Sequence, residues 1–111
     1  SIAETKYNAE MYPNAIYNNN VLIGFFMYRR AENQTDTATI CRFMLDERFL
    51  HKELEEEALE HILRGLKIQG VKNVILTIDA ANESAKNLYH SFGFHLARKN
   101  DKSECYYELK L

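Results

Sequence analysis

Four carboxylates, Glu53, Glu55, Glu56 and Glu57, crowd the opening of what their spacing makes a helix, with Lys52 as the nearby countercharge and His51 just ahead. Carboxylates at a helix N-terminus compensate the partial positive charge there, by roughly 0.3–1 kcal/mol each. The same groups repel any anion brought to that end, by about 1 kcal/mol per pair at a few ångströms even in water. The other reactive side chains are scattered. His51, His61, His90 and His95 stand in no metal-ligand spacing with Cys41 or Cys105, and no His–Asp/Asn set accompanies either cysteine. Neither a metal centre nor a cysteine nucleophile is therefore expected. Asp46, Glu47 and Asp79 are available as bases but read as solvated or turn residues, so no general base stands out. Tyr89 is one of seven tyrosines. Its phenol keeps its proton at pH 7 and can donate it, although packing alone would also account for it.

The elements that must position these groups follow from periodicity. Ser1–Glu10 reads as a short helix ended by Pro13, and Asn14–Tyr17 and Val21–Arg29 as strands around Asn18, Asn19 and Asn20. Asparagine tolerates positive φ, which makes the triplet a hairpin turn. A third strand spans Ala38–Leu45. In Lys52–Gln69, Leu54, Ala58, Ile62, Leu63 and Leu66 recur at helical spacing, and Gly70 stands where a left-handed cap is needed. Asn73–Asp79 is a β-branched run suited to a strand covered on both faces. Asn82 caps a second helix, Glu83–Ser91, and Gly93 ends it; strands at Phe94–Arg98 and Glu104–Leu109 close the chain. The fold class is α/β (α+β), a mixed and mostly antiparallel sheet with helices, in which Ala38–Leu45, the long helix and Asn73–Asp79 form a right-handed βαβ unit.

Two stretches resemble the GNAT superfamily of N-acetyltransferases. Cys41–Phe49 (CRFMLDERF) is similar to its central strand and following turn, closest to the bacterial polyamine or diamine branch. Asn82–Phe94 (NESAKNLYHSFGF) resembles the family pattern N-x-x-A-x-x-L-Y-x-x-x-G-F and is the stronger match. Pro13–Tyr28 also resembles the family's early hairpin. The likeness implies one domain over residues 1–111 that lacks the family's first strand and first helix. It implies acetyl-CoA as cosubstrate and a small amine, a polyamine by branch, as acceptor. It assigns Tyr89 as proton donor to the departing thiolate, Asn82 to the pantetheine arm, and the backbone of Met44 and Leu45 to pairing with that arm.

The phosphate-binding loop differs from the family's. There Q/R-x-x-G-x-G/A lets backbone N–H groups approach the diphosphate at a helix start. Here the loop falls at Leu50, His51, Lys52, Glu53, Leu54 and Glu55, and the three glycine positions hold His51, Glu53 and Glu55. Impaired acetyl-CoA binding is expected. Two functions stay open: an acyl-CoA-dependent N-acetyltransferase, or a non-catalytic binding or assembly module of the same shape. A net charge of −2 gives no reason to expect nucleic acid, and no apolar run approaches a membrane span. Two cysteines without a CxxC, and no charged-then-apolar leader, make a reducing cytoplasm the default. The absent first strand would leave an exposed sheet edge, from which a homodimer is expected.

Overall fold

The computed structural model describes residues 11–111, so the helix expected over Ser1–Glu10 lies outside the described residues. Six strands and two helices follow in order: β1 Met11–Asn18, β2 Val21–Ala31, β3 Gln34–Leu45, a 3₁₀ turn Glu47–Phe49, α1 Lys52–Ile68, β4 Asn73–Asp79, α2 Glu83–Ser91, β5 His95–Lys99 and β6 Glu104–Lys110. They form one mixed sheet in the order β1-β2-β3-β4-β6-β5. Only the β3–β4 pair is parallel.

The β1–β2 turn is the expected asparagine hairpin. Asn19 and Asn20 carry φ of 50° and 70°, flanked by the Asn18–Val21 pair. Two consecutive positive φ values match the right-handed twist of the flanking strands. The first three strands run longer than their apolar patterns suggest, β2 by two residues at its end. β1 begins at Met11 and passes through Pro13, which an edge strand tolerates because the missing N–H costs no rung on its outer side. β3 begins at Gln34 rather than Ala38: Gln34 pairs with Ala31 of β2 across a register shift, and Thr37 already pairs with Asn73 of β4. The last two strands each differ by a residue from their expected bounds.

Both helices end alike. After α1, Gly70 (φ 90°) donates to the Lys67 carbonyl and Val71 to that of Leu66. After α2, Gly93 (φ 96°) donates to His90 and Phe94 to Tyr89. These are Schellman caps, in which the residue after the glycine packs back on the last turn. The buried Val71–Leu66 and Phe94–Tyr89 pairs supply those contacts. Alternate strand residues, among them Ala38, Ile40, Val74, Leu76, Cys105 and Tyr107, form a single core with Leu59, Ile62, Leu63 and Leu66 of α1 and Tyr89 of α2.

Candidate active site

The site begins where the sheet comes apart. β3 and β4 pair only from Thr37–Asn73 to Ile40–Leu76. Beyond that, β3 continues to Leu45 against β2, and β4 continues to Asp79 against β6. The cause is local. The β2–β3 register shifts between Met27 and Tyr28, leaving Cys41 as the extra residue of a bulge, and a bulge bends its strand and re-aims it. Gly24 lets the end of β3 lie close: a Cβ there would meet the Met44 carbonyl oxygen and come within 2.8 Å of the Leu45 Cα. The Asp46 amide then donates to the Ile23 carbonyl at 2.6 Å and turns the chain toward α1.

The parted strands enclose a cleft of about 440 Å³. Cys41–Leu45 form one wall and Thr77–Asp79 the other. Leu50 and Glu55 close it from the α1 side, and Asn82, Ser84, Ala85, Leu88 and Tyr89 from the α2 side. Its size suits a small-molecule site. Both walls present strand backbone that no longer pairs across the gap, so an extended ligand with amide groups could bond to either.

Tyr89 sits in the cleft yet is only 6% exposed, its ring held against Phe94 at 5.7 Å between centroids. Burial, and secondarily the Glu55 charge, push its phenol up to about 12. The sequence pointed to a phenol of ordinary acidity, and this environment makes it a weaker acid. Asn82 is the expected N-cap, its side chain accepting from the Ala85 amide at 3.1 Å, and it also lines the cleft. Met44 and Leu45 lie on the β3 wall.

The expected phosphate loop divides. Glu55 turns inward, and burial raises its carboxyl above the usual range against a smaller opposing effect of His51. His51 is the α1 N-cap: its Nδ1 accepts from the Leu54 amide at 3.4 Å, so this side chain takes a helix N-terminal donor for itself. Lys52 lies along the helix with Nζ 4.0 Å from Glu56, and Glu53 is exposed; neither lines the cleft. The Leu54 side chain points away, into a second cavity between α1 and the β1–β2 hairpin. Of the five loop residues His51–Glu55, only Glu55 reaches the cleft.

The remaining carboxylates behave as turn residues. Asp46 caps the 3₁₀ turn and bonds Arg48, whose guanidinium holds it below the usual carboxylate range. Asp79 accepts from the Ala81 amide at 2.8 Å. Sequence reasoning did not anticipate Thr77, Ile78, Ser84 or Leu88 as lining residues. Helical phase could have flagged Ser84 and Leu88, which share a face with Ala85. Among the described residues no group of three or more His, Cys, Asp or Glu could hold a metal ion. No described helix is long and apolar enough to cross a membrane.

Residues 2–94 match the family model for the acetyltransferase (GNAT) family. The chain belongs to that family. Solved structures with the same fold include the PaiA N-acetyltransferase of Thermoplasma acidophilum in complex with coenzyme A. It is 21% identical, with a TM-score of 0.77 over 99% of this chain and 67% of that one. A GNAT family acetyltransferase of Elizabethkingia anophelis with acetyl-CoA bound is 16% identical, with a TM-score of 0.80 over 100% and 83% of the two chains. The ribosomal-protein alanine N-acetyltransferase of Escherichia coli is 20% identical, with a TM-score of 0.77 over 98% and 74%. No curated protein matches the chain.

Proposed function

We propose that residues 1–111 act as one GNAT domain that takes an acyl thioester in the β3–β4 opening and transfers acetyl to a small amine, with acetyl-CoA bound weakly. The parting of β3 from β4 above a buried tyrosine carries this reading. The opening fits a pantetheine arm, with strand backbone on both sides and Asn82 at the rim. The start of α1 does not fit a diphosphate, because Glu55 faces the cleft and His51 occupies the Leu54 amide. Two structures of this fold were solved with coenzyme A or acetyl-CoA, which supports a cofactor of that kind for this cleft.

Tyr89 holds its proton throughout neutral pH and so offers a hydrogen bond to a sulfur in the cleft. Giving that proton up is another matter. From a phenol at about 12 to a thiolate of ordinary acidity near 8.5, transfer is uphill by about 5 kcal/mol. Tyr89 therefore acts first as a hydrogen-bond donor and only slowly as an acid. A cationic acceptor, a polyamine, is favoured by the exposed Glu53 and Glu57 and the net charge of −2. The second reading, a binding module in the cytoplasm, is favoured by the same loop that opposes the diphosphate. Self-association fits either. β1 lies at the edge of the described sheet, and Tyr17 and Leu22 near its turn are 63% and 55% exposed.

The deciding experiment is calorimetric titration with acetyl-CoA, followed by acetyl transfer to spermidine and to an alanine-terminated peptide. High-micromolar binding with transfer to spermidine is the expected result. Low-micromolar binding would refute the account of the loop. Failure of every thioester to bind, with no transfer, would leave the module.

A further inference from the structure

The cleft is uneven in charge. Its walls are mainly apolar side chains and strand backbone, but Glu55 enters from α1 and Asp79 stands on β4, against one cation, Arg42 on β3. Glu55 is the carboxylate drawn partly out of water, and it lies near enough to Tyr89 and His51 for their charges to interact. A carboxylate in such a place discriminates between a neutral ligand and an anionic one, because a half-buried charge is screened less than one on the open surface. A neutral amide chain loses nothing there and gains the unpaired rungs of Cys41–Leu45 and Thr77–Asp79.

We propose that Glu55 makes this cleft select thioesters by their tails, preferring an uncharged acyl-pantetheine over the same acyl group carried on a nucleotide diphosphate. The proposal rests on the reading of the cleft as an acyl-thioester site. Glu55 is then a specificity-determining residue. It weakens binding of the charged donor, while the neutral arm keeps its contacts with the strands.

The test compares S-acetyl-pantetheine with acetyl-CoA by calorimetry on the full chain and on Glu55→Gln, at pH 5 and pH 8. The unmodified chain should bind acetyl-pantetheine at least as tightly as acetyl-CoA. Glu55→Gln should shift the ratio of affinities toward acetyl-CoA by about tenfold, as expected for removal of one partly screened like charge. Acidification should shift the ratio the same way in the unmodified chain, because the raised Glu55 carboxyl loses its charge. The shift should be smaller in Glu55→Gln. The difference between the two proteins is the readout. Acetyl-CoA binding tenfold tighter than acetyl-pantetheine, or a ratio untouched by Glu55→Gln, would overturn the proposal while leaving a thioester site. If neither thioester binds either protein, the thioester site itself is overturned.

Discussion

Restoring glycine at the three loop positions, His51→Gly, Glu53→Gly and Glu55→Gly together, should move stability and cofactor affinity in opposite directions. The His51 cap bond is long, 3.4 Å, and glycine is itself a fair N-cap, so its loss costs about 0.3 kcal/mol. Each glutamate-to-glycine change inside the first turn costs about 0.5 kcal/mol in helix propensity. Glu53 is exposed and also gives up about 0.3 kcal/mol of dipole compensation. Glu55 gives up little there, because its charge is already penalised by burial. The sum, about 1.5 kcal/mol, should lower the melting temperature by about 6–12 °C. Against this, one carboxylate facing one phosphate charge at about 6 Å and an effective dielectric of about 20 costs about 3 kcal/mol. Screening in a half-open cleft reduces this to about 1.4 kcal/mol, a tenfold gain in acetyl-CoA affinity when Glu55 is removed. Calorimetric titration and scanning calorimetry on the same preparation read both quantities. An affinity gain below threefold, or a melting temperature that rises with affinity, would refute the reasoning.

Four other outcomes are expected. Tyr89→Phe should lower acetyl transfer by about tenfold rather than by the 10²–10⁴ of an efficient general acid, with no pH dependence of its own below about pH 10, as steady-state pH profiles would show. Glu55→Gln should raise the urea midpoint at pH 7. The folded carboxyl titrates above its unfolded value, so its contribution to stability is full below about pH 4.3 and lost as pH rises through the folded value; parent and variant should converge at acid pH. Gly24→Ala should cost about 2–3 kcal/mol by urea unfolding, because the added methyl has only the β3 backbone to push against. Light scattering at high concentration should give a dimeric mass, and a strictly monomeric one would count against association through β1.

Much of the fold was legible because its decisive signals are local. The asparagine triplet needed only a residue type that accepts positive φ, and the two glycines after the helices needed the same. The stripe Leu54, Ala58, Ile62, Leu63 and Leu66 is one helical face, and all five are buried. What pattern reading missed was tertiary. The polar start of β3 pairs because β2 holds Gln34 and β4 holds Thr37, and Pro13 continues a strand because β1 is an edge. The site was legible in composition but not in direction. Glu53 and Glu55 look equivalent in sequence, yet two helical residues are about 200° apart, so one faces solvent and the other the cleft. His51 acting as cap to Leu54 is likewise visible only once the turn before α1 is in place.

The short seam between β3 and β4 also bears on how the molecule comes apart. Four register pairs, Thr37 to Ile40 against Asn73 to Leu76, join a three-stranded N-terminal meander to a three-stranded C-terminal half. Each half is zipped by antiparallel ladders of its own, and those of β1–β2, β2–β3 and β4–β6 are longer than the seam. Cooperative units in native proteins tend to follow such boundaries. Amide exchange should therefore show the two halves protected to different degrees, with the seam amides grouping with the less protected half. Under a pulling force applied across the sheet, those rungs should give way first, ahead of either ladder, and the core side chains of α1 would be the last tether between the halves.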